Sequence, residues 1–381
     1  MDFNGLLKHM VAEGASDLFI SAGVAPSMKI SGYLTPVGKT ILSPEAATKL
    51  ILGIMSEGQR KEFVSSHECN FAIHAPGVGR FRVSAFQQRN LAGMVLRRIE
   101  TKIPVMEELR LPPVIKDLAM SKRGLVLFVG ATGSGKSTSL ASMIGYRNQN
   151  SKGHIISIED PIEFIHEHGN CIITQREVGL DTDSFEVALK NTLRQAPDVI
   201  MIGEIRTREV MEYAVQFAET GHLVLATLHA NNANQALDRI LHFFPPDQQH
   251  QVRMDLSLNL RALVAQQLIP SASGEGRRIA VEVLLNTPLA ADHIRKGEVH
   301  LLKALMAKSR ELGMQTFDQA LFDLHGSGEI SYEDALGSAD SPNDLRLMIK
   351  LGSGDHASAL EDATKGLTLQ EDETGIHMGP R

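Results

Sequence analysis

Hydrophobic and polar residues follow two different patterns along the chain, and the change falls near residue 100. Before it, apolar residues at helical spacing over 6–11 precede short alternating segments separated by turn residues. In the clearest segment, Phe81, Val83 and Ala85 alternate with Arg and Ser, as in a strand with one buried face. We therefore expect residues 1–100 to form a small α+β domain, with strands within 17–20, 28–34 and 79–86.

Beyond residue 113 the pattern changes to short apolar runs that alternate with helical segments. Such runs, rich in β-branched residues, suit parallel strands whose two faces are both buried. Residues 101–113 hold three prolines and little periodicity, so we interpret them as an interdomain linker. We expect residues 114–351 to form a doubly wound α/β domain. Its predicted strands include 125–129, 154–158, 199–202, 223–228 and 277–285.

The helices between these strands have their own boundary signals. In the helix predicted within 183–193, Asp183 is a plausible N-cap because Glu186 follows three residues later. The next helix is expected to end at Gly221, since glycine is favoured just beyond a helix C-terminus. Further on, four apolar residues fall on one helical face, and we expect a helical section through Val252, Leu256, Leu260 and Leu263.

The charge of the chain argues against one class of function and marks its C-terminal stretch. The sequence holds 38 Lys and Arg against 45 Asp and Glu, a net charge of −7, which argues against a dedicated nucleic-acid-binding protein. From Asp355 to the end there are six acids and two bases, so most of the net charge lies here. Because this stretch is also poor in apolar residues, we expect residues 352–381 to form a disordered acidic tail.

Cysteine usage and the N-terminus indicate a cellular compartment. Cys69 and Cys171 are the two cysteines, which excludes a disulfide scaffold and a four-cysteine zinc module. The N-terminus lacks the basic and apolar regions of a signal peptide. The longest apolar run, around 125–129, is far shorter than the ~20 residues that span a bilayer. We expect a cytoplasmic protein without an integral membrane segment, with a peripheral membrane contact left open.

One motif carries most of the chemistry. The segment GATGSGKST fits the pattern GxxxxGK[ST] and lies between a predicted strand and a predicted helix. Glycines allow the backbone to wrap a phosphate, and the amides of the helix N-terminus face the anion. Lys136 would reach the β- and γ-phosphates, and the hydroxyl of Ser137 would bind Mg²⁺. We expect ATP and Mg²⁺ as ligands, with ATP bound by Gly130, Ala131, Thr132, Gly133, Ser134, Gly135, Lys136, Ser137 and Thr138.

Three predicted strands each deliver a polar group to one edge of the sheet, where ligands bind in open parallel sheets. Glu159 follows the first strand, Glu204 the second and His229 the third. Glu204 suits the role of the general base that activates water. Gly203 stands where such sites usually have a metal-binding Asp. Metal contact would then come from Ser137, and from Glu204 or Glu159 through water.

Two histidines flank the strand predicted at 223–228. His222 begins this strand and His229 ends it. Either histidine could serve the site, and either could be a hydrogen-bonded core residue. The residues alone leave both interpretations open.

Four segments together resemble the Walker A, Asp box, Walker B and His box motifs of the type II/type IV secretion ATPases. Two N-terminal segments, ASDLFISAG (15–23) and GRFRVSAFQQR (79–89), resemble the retraction branch of the type IV pilus, the PilT/PilU group. Segments 232–247 and 254–270, with the acidic tail, are more similar to the PilU-type side of that group. The four motif segments are ATGSGKST (131–138), ISIEDPIE (156–163), LRQAPDVIMIGEIRTRE (193–209) and TGHLVLATLHANNA (220–233).

The resemblance implies a fold and an assembly. It implies a RecA-like P-loop domain with a parallel-rich sheet, preceded by a small PAS-like α+β domain, in a homo-hexamer. It also implies roles for side chains: Glu204 as base, Glu159 and Glu163 near Mg²⁺ and the attacking water, and the two histidines linking nucleotide state to the neighbouring subunit. Three arginines of the N-terminal domain would meet a nucleotide on domain closure: Arg80, Arg82 and Arg97.

The function implied is ATP hydrolysis that powers pilus retraction and twitching motility. The expected partners are an inner-membrane platform protein and a sister retraction ATPase, with the protein peripheral at the cytoplasmic side of that membrane. An alternative is a nucleotide-binding regulatory subunit of a sister motor with little turnover of its own. A DNA-translocating motor is disfavoured, because the chain is acidic and has no Trp or basic–aromatic stripe.

Overall fold

A computed structural model describes residues 2–30, 32–99 and 102–352. These residues fall into two compact units. The first unit comprises the chain up to Leu109 with Ala119–Gly124 and Ser137–Thr227, and the second comprises Arg110–Leu118, Leu125–Lys136 and the chain from Leu228. The predicted acidic tail lies outside the described residues, apart from Gly352.

The described chain contains both strands and helices. The strands are β1 (Asp17–Ser21), β2 (Ser27–Ile30), β3 (Tyr33–Pro36), β4 (Glu68–Ala75), β5 (Gly79–Gln88), β6 (Leu91–Ile99), β7 (Gly124–Val129), β8 (Gly153–Glu159), β9 (Cys171–Glu177), β10 (Val199–Ile202), β11 (Leu223–Leu228), β12 (Leu260–Pro270) and β13 (Arg277–Leu285). The helices are α1 (Phe3–Ala12), α2 (Pro44–Gly53), α3 (Glu57–Ser66), α4 (Met106–Leu109), α5 (Val114–Ala119), α6 (Lys136–Asn150), α7 (Phe185–Thr192), α8 (Arg208–Glu219), α9 (Ala233–His242), α10 (Gln249–Asn259), α11 (Pro288–Lys296), α12 (Leu302–Lys308), α13 (Phe317–Gly326), α14 (Tyr332–Ser338) and α15 (Pro342–Gly352).

The first six strands form an antiparallel sheet in the order β3-β2-β1-β6-β5-β4. Phe81, Val83 and Ala85 of β5 are buried, as their alternation predicts. Together with buried residues of α1, α2 and α3 they form one hydrophobic core. The single strand expected within 28–34 is instead the hairpin of β2 and β3, because the chain turns between Ile30 and Tyr33.

Four parallel strands belong to the first unit, in the order β11-β10-β8-β9. The predicted apolar runs form β8, β10 and β11, and β10 and β11 are buried throughout. The second unit holds β7, to which β12 pairs in parallel, and β13, which pairs with β12 antiparallel. The first set is therefore parallel throughout, as expected for the α/β region, whereas the second holds one parallel and one antiparallel pair.

Two expectations for the α/β region are wrong. Leu260 and Leu263 were expected in one helical section with Val252, but α10 ends at Asn259 and both residues belong to β12. Leu263 is fully buried beside β7, so sheet pairing outweighs the helical spacing. Asp183 was expected to cap α7, but the N-cap is Ser184, whose extended backbone lets its hydroxyl accept the N–H of Val187.

The expected end of the next helix agrees with the structure. Thr220 caps α8, and Gly221 follows it with φ of +101°, a conformation that disfavours a side chain. Among the described residues, no helix is both long and apolar enough to cross a membrane.

Candidate active site

The loop between β7 and α6 depends on glycine. Gly130, Gly133 and Gly135 have φ values of +154°, +79° and +90°. A Cβ on Gly130 would lie 2.4 Å from Oγ of Ser134 and 2.6 Å from the carbonyl oxygen of Gln266. Any side chain at position 130 would therefore collide with its neighbours. We call residues 130–136 the phosphate loop.

Polar groups inside the phosphate loop suit a phosphate. The buried ammonium of Lys136 donates to the carbonyl oxygens of Gly130 and Ala131, each at 2.8 Å. The hydroxyl of Ser134 is buried and has no hydrogen-bond partner within the described residues. Helix α6 begins at Lys136, so its first amides lack intrahelical acceptors and carry the positive end of the helix dipole. The loop thus offers one cation and several N–H donors to an anion.

Glu159 ends β8 in a buried position. Its Oε1 accepts hydrogen bonds from Ser157 Oγ at 2.7 Å and Gln175 Nε2 at 3.0 Å. Burial raises the pKa of Glu159 to about 7, although these hydrogen bonds oppose the shift. Glu159 can therefore exchange a proton near neutral pH, and Gln175 links it to the loop that carries Glu163.

Glu204 follows β10 and is partly buried. Its Oε2 lies 2.8 Å from Nη2 and 2.9 Å from Nε of Arg206, and Nη1 of Arg206 lies 3.1 Å from Oδ2 of Asp160. The arginine thus joins Glu204 to the residue after β8. We call Glu159, Asp160, Glu163 and Glu204 the acidic edge. Arg206 was not predicted as a site residue from the sequence, because its partner Asp160 is 46 residues away.

Gly203 has a structural reason to replace the usual Asp. A Cβ on Gly203 would lie 3.1 Å from Cα of Glu159 and 3.2 Å from the carbonyl oxygen of Ile158. The N–H of Gly203 also donates to that carbonyl oxygen at 2.8 Å. The backbone of β8 therefore occupies the space that a side chain would need.

Strand β9 holds the loop that carries Glu163. Nε2 of Gln175 donates to the carbonyl oxygen of Phe164 at 2.9 Å, and its Oε1 accepts the N–H of His166 at 2.8 Å. Oε2 of Glu177 accepts the N–H of Ile162 at 3.2 Å. Neither Gln175 nor Glu177 was predicted as a site residue, because neither belongs to a recognisable motif.

The three arginines occupy different surroundings. Arg82 of β5 lies directly opposite Arg97 of β6, and both line a cavity of about 250 Å³. Thr138, at the start of α6, and Glu163 line the same cavity. Arg80 does not line it; its Nη2 forms an ion pair with Oε2 of Glu177 at 3.1 Å. The structure therefore brings Arg82 and Arg97, but not Arg80, beside a predicted ATP-binding residue.

Arg82 and Arg97 also differ from each other. Nε of Arg97 donates to Oδ1 of the buried Asp17 at 2.9 Å. Within the described part of the chain, no hydrogen bond or ion pair engages the side chain of Arg82. Burial lowers the pKa of the Arg82 guanidinium, and the carboxylates of Glu163, Glu177 and Asp160 oppose that shift. Arg82 thus lines the cavity, and its guanidinium has no fixed partner among the described residues.

The two histidines lie at opposite ends of β11. His229 follows the strand directly and is partly buried. His222 precedes the strand, and its Nδ1 lies 3.1 Å from Oγ1 of Thr220 and 3.2 Å from the carbonyl oxygen of Phe217. Because β8, β10 and β11 are parallel, His222 is at the end of the strands away from Glu159 and Glu204. His222 is therefore not brought to the acidic edge of its own chain.

Similarity to known proteins agrees with this arrangement. The sequence profile of the family described as "Type II/IV secretion system protein" matches residues 2–314. The chain is 71% identical over 370 residues to the type IV pilus ATPase PilU of Pseudomonas aeruginosa, covering 97% of each protein. It is 42% identical over 345 residues to the type IV pilus retraction ATPase PilT of the same organism, covering 91% of this chain and 100% of that protein.

A solved structure is similar over nearly the whole described chain. The crystal structure of the pilus retraction motor PilT with bound ADP matches with a TM-score of 0.86 at 40% sequence identity. The match covers 91% of this chain and 99% of that chain. This likeness confirms the expected fold, the RecA-like fold of the secretion ATPases.

Proposed function

We propose that this chain, an ATPase that belongs to the type II/IV secretion system protein family, hydrolyses ATP to power type IV pilus retraction and twitching motility, as the motor or as an accessory motor. Its similarity to PilU over nearly its full length supports the assignment to the pilus. The ADP in the similar PilT structure supports nucleotide binding. In this chain, the observation that carries the proposal is the phosphate loop, whose Gly130 tolerates no side chain and whose Lys136 is buried against two carbonyl oxygens.

The phosphate loop is the proposed binding site for the triphosphate. A bound phosphate would offer Lys136 a charge-assisted partner in place of the carbonyl oxygens of Gly130 and Ala131. Ser137 would hold Mg²⁺, with Glu204 as the second proposed ligand. When bound, Mg²⁺ would neutralise charge on the phosphate oxygens.

Glu204 is the proposed general base. A carboxylate at the end of β10 can accept a proton from water that attacks the γ-phosphate, and its contact with Arg206 fixes its orientation. Gln175 bonds both Glu159 and the carbonyl oxygen of Phe164 beside Glu163, which supports a role for both acids in orienting water. His229 and His222 are proposed to relay nucleotide state to a neighbouring subunit.

The cavity lined by Arg82 and Arg97 supports a further part of the proposal. Two guanidinium groups beside Thr138 provide positive charge for a nucleotide bound at the start of α6. Arg82 is the stronger candidate for that contact, because Arg97 already pairs with Asp17.

We propose that the chain works as a homo-hexamer at the cytoplasmic side of the inner membrane. There it would act on a pilus platform protein together with a sister retraction ATPase. Nucleic acid is not a proposed partner. The alternative, a regulatory subunit of a sister motor, differs from this proposal in one measurable property: it would hydrolyse little ATP on its own.

The test is ATP turnover of the purified full-length chain, measured with and without a sister retraction ATPase. Wild-type protein should release phosphate alone, and Lys136→Ala should lose ATP binding and turnover while its melting temperature stays close to wild type. Loss of the charge-assisted contact costs roughly 1.5–3 kcal/mol of binding free energy before metal effects. Wild-type nucleotide affinity in this variant would refute the assignment of residues 130–136 as the triphosphate-binding site. Turnover that depends wholly on the sister protein would favour the regulatory role.

A further inference from the structure

Arg80 and Arg82 are two residues apart on β5, yet among the described residues only the side chain of Arg80 has an ion-pair partner. Alternate residues of a strand share a face, so both guanidinium groups lie on the same side of the N-terminal sheet. Phe81 between them is fully buried on the other side. Nη2 of Arg80 lies 3.1 Å from Oε2 of Glu177, whereas Arg82 faces the cavity that Thr138 and Glu163 line.

Glu177 connects β5 to the loop that carries Glu163, residues 160–170, which we call the acidic loop. Its Oε2 accepts from Arg80 and also accepts the backbone N–H of Ile162 at 3.2 Å. Its own backbone N–H donates to Oδ2 of Asp181 at 2.9 Å, which fixes the end of β9. Because Ile162 directly precedes Glu163, one carboxylate joins the strand that carries Arg82 to the loop that carries Glu163.

Burial makes this ion pair different from an ordinary surface pair. The side chains of Arg80 and Glu177 are 18% and 9% exposed. A carboxylate removed from water needs a compensating cation and hydrogen bonds, and removing one partner leaves an uncompensated charge. The pair therefore has a strong preference for the arrangement in which β5 lies against the acidic loop.

We propose that Arg80 and Glu177 are a positioning pair that keeps Arg82 of the N-terminal sheet and Glu163 of the acidic loop facing the same cavity. Arg80 itself does not contact the nucleotide in this proposal. The inference rests on the proposed function, because it takes that cavity as part of the nucleotide site. The proposal also gives Arg80 a different role from Arg82 and Arg97, whereas the sequence alone predicted one role for all three.

The pair should act on ATP affinity more than on the chemical step. Without it, only a fraction of molecules would hold Arg82 at the cavity, and the apparent affinity falls in proportion to that fraction. Arg80→Ala should raise the KM for ATP by about 3- to 10-fold if the competent fraction falls to about a tenth to a third. The kcat should change by less than about twofold, because Glu177 still holds the N–H of Ile162.

Glu177→Gln is the second variant, since glutamine keeps an acceptor for Ile162 but removes the charge that pairs with Arg80. It should raise the KM to the same extent as Arg80→Ala. The decisive measurement repeats Arg80→Ala in an Arg82→Ala background. If Arg80 acts only through Arg82, Arg80→Ala should raise the KM no further in that background.

A matched control removes an exposed ion pair elsewhere. Arg295→Ala breaks the contact with Asp292 on α11 and should leave the KM and kcat unchanged. If Arg80→Ala does not fold, Arg80→Gln, which keeps a long polar side chain but removes the charge, takes its place in both backgrounds under the same criteria.

Two results would overturn the proposal. An equal rise in KM from Arg80→Ala in the wild-type and Arg82→Ala backgrounds would mean that Arg80 meets the nucleotide itself. A wild-type KM in Glu177→Gln would mean that the ion pair positions nothing. Failure of the proposed function is distinguishable, because it would appear as normal ATP binding in Lys136→Ala.

Discussion

The phosphate loop and the acidic edge use different parts of the polypeptide. In the phosphate loop the polarity comes mainly from backbone groups and from the start of α6, with Lys136 as its charged side chain. In the acidic edge it comes from side chains, and one of them, Glu159, has a pKa of about 7 because it is buried. The loop should therefore be sensitive to changes of backbone conformation, and the acidic edge to changes of charge and pH.

The effect that reaches the most properties is expected from Gly130→Ala, which should lower both stability and turnover. The added Cβ would lie within 2.6 Å of two atoms at a φ of +154°, so the loop must change its conformation. Such strain costs roughly 1–3 kcal/mol, and misplacing bound phosphate by about 1 Å lowers turnover by about 10²-fold or more. Phosphate release at saturating ATP and chemical unfolding would measure both effects.

Gly145→Ala is the matched control for that substitution. Gly145 lies within α6, and a Cβ there would meet no atom within 4 Å. Alanine should stabilise the helix by roughly 0.5–1 kcal/mol and leave turnover unchanged. Similar losses in both variants would show that α6 rather than the loop conformation is sensitive, and would remove the basis of the comparison.

Glu204→Gln tests the acidic edge with almost no change of shape. The substitution removes the negative charge and the basicity, while the phosphate loop and Ser137 are untouched. Turnover should fall by about 10²–10⁴-fold, the usual contribution of a positioned general base, and ATP binding should persist. Nucleotide titration and phosphate release measure the two properties separately.

Glu209→Gln, an exposed position in the first turn of α8, is the control and should behave as wild type. If turnover in Glu204→Gln stays near wild type, the base is another acid, and Glu159 and Glu163 become the candidates. If binding and turnover vanish together, Glu204 is structural or a direct metal ligand.

Glu159→Gln should change how stability depends on pH. The folded-state pKa of about 7 lies above the ordinary value of 4.5, so the folded state favours the protonated acid. Glu159 therefore contributes to the free energy of unfolding in full below pH 4.5, and this contribution is lost as the pH rises to about 7. The loss is on the order of 3 kcal/mol. Glutamine resembles the protonated acid, so the variant should lose less stability than wild type between pH 5 and pH 8.

Urea unfolding at those two pH values checks this expectation. Glu282 has the same raised pKa from burial and provides a matched substitution, Glu282→Gln, which should show a shift in the same direction. Parallel stability curves for wild type and Glu159→Gln would mean that Glu159 is charged at both pH values, and that burial does not control its protonation.

The same difference explains which features could be predicted from sequence. The phosphate loop is one continuous stretch of sequence, and its positive φ values occur at glycines, the residue type that adopts them most readily. Glu159 and Glu204 were found because they lie within two residues of the ends of apolar runs. Arg206, Gln175 and Glu177 were missed, because their partners lie far away in sequence and no spacing rule connects them.

Errors in secondary structure have local causes. The apolar spacing around Leu260 and Leu263 fits a helix, and only pairing with β7 makes it a strand. Strand β9 was missed because it lies at a sheet edge and has a mixed burial pattern, with no continuous apolar run. Asp183 and Ser184 are both good capping types, and the extended backbone of Ser184 decides between them.

The smallest effect is expected from Arg206→Ala, which removes a contact within the acidic edge but no acid. Arg206 is 55% exposed, and exposed ion pairs contribute roughly 0–1 kcal/mol, so stability should hardly change. Turnover should fall by about 3-fold or less, because Glu204 keeps its charge and loses only part of its orientation. A 100-fold loss of turnover, with unchanged ATP affinity, would mean that Arg206 stabilises the transition state and that the acidic edge includes an essential cation. Measuring phosphate release in Arg206→Ala and Arg206→Lys separates the two cases, since lysine would restore a required charge but not the two-nitrogen contact with Glu204.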